Sequence, residues 1–175
     1  MIITVVSTSL TIVKEREENT IEQLIVSPLH SFQLIIGKII PYVIITFLSS
    51  VSIIILGYLV FGVTVKGSLI LLLVSMVIFL MVGVSFGLMI SAVADSQQFA
   101  FMISVLTTIL PTLLLSGFVF PIRNMAKPIQ LFTYLVPARY FMEILRGIII
   151  KGTGMHSFWL EFIIMTFLAI ILLFV

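Results

Sequence analysis

Long apolar runs alternate with short polar stretches along the chain, and this alternation predicts the elements. Ile39–Phe61 is continuously apolar or hydroxylated, and about 23 residues of helix reach roughly 35 Å, enough to cross a hydrocarbon core. Residues 69–92 and 99–120 read as second and third spans, and residues 158–175 as a fourth with Trp159 and Glu161 at its mouth. Residues 61–68 and 94–98 are the turns between them. Pro41 falls in the first turn of its span, where a missing N–H costs little. Pro111 lies in the middle of the third span and frees a carbonyl near Thr107, so a kink is expected there, with Thr107 or Thr108 as hydroxyls for the freed group. Residues 1–13 are apolar but short for a span, and read as the tail of a preceding one. The expectation is therefore the C-terminal part of a longer membrane protein.

Two stretches break the apolar texture. Residues 14–28 carry six charged side chains in fifteen positions, including four of the seven acidic ones in the chain. Within them Thr20-Ile21-Glu22-Gln23 fits a capping box, in which threonine and glutamine side chains satisfy orphan N–H groups at a helix start. Ile21, Leu24 and Ile25 then share one face, and Ser27-Pro28 offers an N-cap and N1 for a further helix. The pattern predicts a short amphipathic surface helix, which serves equally as a solvated connector or as a helix offered to a partner's groove. Residues 121–154 mix Arg123, Lys127, Arg139, Arg146 and Lys151 with Phe132, Tyr134, Tyr140 and Phe141, a composition suited to a membrane–water interface. Two short helices, 129–135 and 138–150, are expected there, broken at Val136-Pro137. Glu143 and Arg146, three apart, are placed to pair on one face.

Composition narrows the function classes. Hydrophobic residues make up 61% of the chain and charged ones 9%, against about 25% charge in soluble domains; mean hydropathy is +1.36. The fold class is all-α membrane protein, one polytopic helical bundle over residues 1–175. No cysteine is present and His30 and His156 stand alone, so neither disulfides nor a metal site are expected. The net charge of +2 is scattered among apolar residues and does not point to nucleic acid. No phosphate-binding loop occurs, since Gly37-Lys38 lacks both the upstream glycine and the trailing hydroxyl. No catalytic residue and no bound cofactor are expected. The span centres carry no ionisable residue, which disfavours a channel or proton-coupled carrier. Gly83, Gly87 and Ser91 recur at four-residue spacing on one helix face; small residues are common in membrane helices, and such a face also permits close backbone approach, within the chain or across a dimer.

The run Glu15-Arg16-Glu17-Glu18-Asn19-Thr20-Ile21-Glu22-Gln23-Leu24, followed by Ser27-Pro28 and Gly37-Lys38, resembles the signature of type-2 ABC exporter permeases. The likeness continues through Ser116-Gly117-Phe118-Val119-Phe120-Pro121, Leu135-Val136-Pro137-Ala138-Arg139-Tyr140-Phe141-Met142-Glu143 and Leu145-Arg146-Gly147, and so covers nearly the whole chain in order. Asn19 stands where that family usually has glycine, and Glu18 where arginine is common. Asparagine tolerates left-handed geometry.

The resemblance implies that residues 14–38 form a cytoplasmic coupling segment touching a partner ABC ATPase. The contact would use Glu15, Arg16, Glu17, Thr20, Ile21, Glu22, Gln23, Leu24, Ser27 and Pro28. It further implies a re-entrant outer hairpin over 121–154, with Gly117, Pro121, Pro137, Glu143 and Arg146 as its marker residues. ATP and magnesium belong to the ATPase, and a second permease copy completes a homo- or heterodimer in a prokaryotic plasma (inner) membrane. The transported substrate is expected to be hydrophobic or amphipathic. A channel, a secondary carrier or a scaffold recruiting a soluble protein are the other readings. The positive-inside rule opposes the implied orientation: Lys14, Arg16 and Lys38 lie on one side, and Lys66, Arg123, Lys127, Arg139, Arg146 and Lys151 on the other.

Overall fold

The computed structural model describes residues 1–18 and 31–174, and the elements in them are all helical. The helices are α1 (Ile2–Glu17), α2 (Ser31–Phe61), α3 (Leu69–Val93), α4 (Gln97–Leu115), α5 (Lys127–Thr133), α6 (Pro137–Arg146) and α7 (Trp159–Phe174). Three are long and apolar enough to cross a membrane: α2 over Ile39–Phe61, α3 and α4. α7 is a shorter apolar helix of sixteen residues.

α3 is the axis of the bundle. It is apolar all round, as expected of a helix enclosed by others, and α1, α2, α6 and α7 all pack on it. Leu72, Met76, Phe79 and Val82 of α3 form one core with Ile144 of α6, Ile148 of the turn that follows it and Met165 of α7. Phe79 stacks flat on Phe141 with ring centroids 4.1 Å apart. Because lipid tails are as apolar as leucine, such contacts hold by packing rather than by exclusion of water. Hydroxyls add a few directed bonds: the Ser85 hydroxyl reaches the Ala169 carbonyl of α7 at 3.1 Å, and the Ser9 and Ser104 hydroxyls of α1 and α4 meet at 2.9 Å.

Several expected boundaries are corrected. α2 begins at Ser31, so Pro41 lies in the helix interior and not in a first turn. α1 runs on through Lys14, Glu15, Arg16 and Glu17, so the charged stretch starts as the last turn of an apolar helix, with Lys14 and Arg16 favourably placed against the helix dipole. α4 starts at Gln97, where the Ser96 hydroxyl accepts from the Phe99 N–H at 3.3 Å. It continues through Pro111 and ends at Leu115, five residues before the expected Phe120. There the Ser116 hydroxyl turns back to the Thr112 carbonyl and also accepts from the Phe118 N–H, while Gly117 takes φ +78, a left-handed conformation that ends the helix. The Thr107 hydroxyl bonds the Ile103 carbonyl at 2.6 Å, and Thr108 Oγ1 is buried without a partner among the described residues; neither takes up the carbonyl freed by Pro111.

Between α4 and α7 the chain folds as a 3-10 turn (Ile122–Asn124), α5, α6, a π turn (Gly147–Lys151) and a second 3-10 turn (Met155–Ser157). The helix break expected at Val136-Pro137 is present: Val136 is extended and Pro137 occupies N1 of α6. The α2–α3 loop docks on this region, the Gly67 N–H donating to the Ile148 carbonyl at 3.0 Å.

Candidate functional site

The helices sort the candidate residues into two groups at opposite ends of the bundle. At one end, α1 finishes beside the loop that starts α4. Glu17 Oε1 accepts from the Gln97 backbone N–H at 2.9 Å and Oε2 from the Gln97 side-chain amide at 2.5 Å. A carboxylate on the first N–H of a helix satisfies an orphan donor and meets the positive end of the helix dipole. Glu17 therefore ties the charged segment to α4, a contact across 80 residues that no local pattern announces. Lys14 Nζ and Glu18 Oε1 lie 3.8 Å apart on the exposed surface, a pair worth little. Thr20, Ile21, Glu22, Gln23, Leu24, Ser27 and Pro28, with the amphipathic helix expected there, lie outside the described residues.

The small-residue face of α3 is used within the chain. A Cβ at Gly83 would stand 3.3 Å from Thr4 Cβ, and one at Gly87 2.8 Å from both Thr8 Cβ and the Val5 carbonyl oxygen of α1. Ser91 is buried on the same helix, its hydroxyl on the Leu88 carbonyl at 2.6 Å. Thr4 and Thr8 face this seam with hydroxyls that have no partner among the described residues.

At the other end lies a cavity of about 640 Å³ between the end of α4, α6, the π turn and the start of α7. It brings together Gly117, Pro121, Glu143 and Arg146 from the expected hairpin set, while Pro137 sits behind it at the start of α6. Arg123, Arg139, Lys151 and Glu161 also line it; sequence reading noted these charges without seeing that they converge. The expected Glu143–Arg146 pair is not formed. Glu143 Oε1 stands 3.6 Å from Arg139 Nε, one turn earlier, a distance that makes an ion pair but no hydrogen bond. Arg146 instead donates to the Gly117 carbonyl at 2.9 Å, an acceptor presented by the left-handed turn after α4.

Arg139 is held from several sides. Its Nη1 donates to the Thr133 hydroxyl at 2.6 Å, and its guanidinium lies 4.0 Å from the Tyr134 ring centroid. Tyr140 completes the α5–α6 corner by donating to the Tyr134 carbonyl at 2.8 Å. Burial pushes the Tyr140 phenol above its ordinary value, with Glu143, Tyr134 and Glu161 adding to the shift and Arg139 opposing it. Among the described residues no three His, Asp or Glu side chains gather as a metal donor set.

The ABC-2 family transporter protein model matches residues 1–175. The chain belongs to the ABC-2 transporter family. An ABC-2 relative, the probable multidrug ABC transporter permease YbhR of Escherichia coli K12, is 38% identical over 87% of this chain and 41% of its own length. YbhS of the same organism, also named a probable multidrug ABC transporter permease, is 32% identical over 86% and 40%. The inner membrane transport permease YhhJ is 26% identical over 91% and 42%. The chain thus spans about two fifths of the length of these ABC-2 relatives. No solved structure matches it.

Proposed function

We propose that the chain is the membrane-spanning portion of a permease subunit in an ABC exporter. ATP hydrolysis belongs to a partner ATPase that presses on residues 14–28, and the bundle pairs with a second permease copy in a prokaryotic inner membrane. Residues 121–154 are the re-entrant hairpin on the outer side, and the cargo is hydrophobic or amphipathic. Family membership supports the general reading. The observation that carries the coupling step is the Glu17–Gln97 contact. A push on the segment following α1 reaches α4 through that carboxylate and α3 through the close Gly87–Thr8 approach, so both spans receive the displacement together. Motion of packed helices against one another is a recognised way of converting a local push into a change of access.

The test is purification of the full-length protein from its native membrane and assay of the co-purifying soluble proteins for ATPase activity. A stoichiometric ATPase lost on Glu22→Lys, with the permease still folded, is the expected result. A permease that purifies without any ATPase refutes the coupling reading and leaves a carrier or scaffold.

A further inference from the structure

We infer that the cavity between α4, α6 and α7 binds a phosphate-type anionic headgroup. Four cationic side chains line it, Arg123, Arg139, Arg146 and Lys151, against two carboxylates, Glu143 and Glu161. One carboxylate is already engaged, since Glu143 faces Arg139 at 3.6 Å. Arg139 and Arg146 are positioned by protein groups, the first by Thr133 and Tyr134 and the second by the Gly117 carbonyl. The Arg123 and Lys151 side chains are exposed and make no hydrogen bond or ion pair among the described residues. The site therefore offers two fixed cations as a frame and two adaptable ones to close on a ligand. Guanidinium groups match phosphate oxygens in planar geometry, and lysine serves as a point charge.

The surroundings suit an amphiphile. Ile122, Met142 and Phe158 supply apolar wall to the same cavity, while Phe118, Phe120 and Trp159, sequence neighbours of lining residues, are exposed. Aromatics of this kind settle at headgroup depth. A volume of about 640 Å³ lies within the roughly 300–1,000 Å³ of ordinary small-molecule sites. The π turn that ends in Lys151, followed by Thr153 with its hydroxyl and N–H both on the Gly147 carbonyl, is a rare conformation that recurs at functional sites. The same chemistry is carried by an anionic lipid or by a free phosphate, and the inference stands whether or not the bundle transports.

The experiment uses the full-length protein in nanodiscs of phosphatidylcholine containing some phosphatidylglycerol, with retained lipids counted by native mass spectrometry. A parallel calorimetric titration adds inorganic phosphate to phosphatidylcholine-only discs. Preferential retention of phosphatidylglycerol is expected, reduced about fivefold by Arg123→Gln or Lys151→Gln and further by both together. Arg123→Lys should restore it. Lys127→Gln, a hairpin cation outside the cavity, should leave it unchanged. Phosphate binding in the second arm, abolished by the double substitution, assigns the site to a free anion; its absence alongside lipid preference assigns it to a lipid headgroup. Equal retention of both lipids with no phosphate binding overturns the inference. So does a loss with Lys127→Gln equal to that with Arg123→Gln, which would indicate diffuse surface attraction.

Discussion

Gly87→Ala is the sharpest probe of the packing that joins α1 to α3. The added methyl would lie 2.8 Å from Thr8 Cβ and 2.8 Å from the Val5 carbonyl oxygen. One of these is backbone and the other is fixed to backbone, so relief requires the helices to separate. Overpacking of this kind costs about 1–3 kcal/mol, while alanine returns at most about 1 kcal/mol of helix propensity. The net expectation is a destabilisation of about 1–2 kcal/mol. Two further glycines calibrate the argument. At Gly83 the nearest atom is Thr4 Cβ at 3.3 Å, which needs only a small adjustment, and Gly83→Ala should fall near neutrality. At Gly57 nothing lies within 4 Å, so Gly57→Ala reports propensity alone and should be neutral or slightly stabilising. Thermal unfolding of the full-length protein in detergent should rank the variants Gly57, Gly83, Gly87 in falling Tm. A Thr8→Ser background, which removes Cγ2 but keeps the Cβ at 2.8 Å, should not rescue Gly87→Ala. Equal Tm for the Gly57 and Gly87 variants, or rescue by Thr8→Ser, would refute the reasoning.

Tyr140→Phe removes the bond to the Tyr134 carbonyl and should cost about 1 kcal/mol, read as a lower Tm. The same phenol, raised by burial, stays neutral past the ordinary tyrosine range. The stability from its hydrogen-bonded neutral form is complete below that range and lost as pH rises through the higher value, so Tyr140→Phe should remove a component that titrates above the ordinary tyrosine range in a 295 nm absorbance titration. Glu17→Ala strips the cap from α4 and should cost about 0.5–1 kcal/mol, with faster amide exchange at Gln97 and Ala100 as the local signature. On a cysteine-free background, Ser157→Cys should react with an impermeant thiol reagent in intact cells and Ser27→Cys should not; labelling at Ser27 from outside reverses the proposed orientation.

The three long apolar helices α2, α3 and α4 are legible because apolar length alone separates them from turns, and the Val136-Pro137 break because proline restricts both itself and its predecessor. The small-residue face of Gly83 and Gly87 was readable as a close approach, but only the structure names α1 as its partner and Thr4 and Thr8 as the opposing residues. Where sequence reading failed, the missing information was tertiary. Glu143 and Arg146 satisfy local spacing, yet Arg146 finds the Gly117 carbonyl 29 residues away, a buried-end acceptor created only once α4 stops at a left-handed glycine. That stop was itself misplaced because residues 116–120 are apolar enough to continue a span, and hydropathy does not register a hydroxyl turning back on Thr112. Residues 31–38 read as part of the polar stretch, yet they are helical, which puts Pro41 inside α2.

The charge count that opposes the proposed orientation looks different once each cation has a place. Of the six on the hairpin side, Arg139 is largely enclosed by Thr133, Tyr134 and Glu143, and Arg146 is tied to Gly117. These two are fixtures of a folded corner, whereas the positive-inside rule describes short loops that remain free to be retained or translocated. Arg123 and Lys151 line the same cavity, which leaves Lys66 in the α2–α3 loop and Lys127 at the start of α5 outside it. Those two stand against Lys14, Arg16 and Lys38 at the other end. A cluster assembled around a cavity needs a reason to be cationic, and a headgroup worth about 1 kcal/mol per basic side chain supplies one on whichever leaflet it faces. The proposed headgroup site accounts for that distribution.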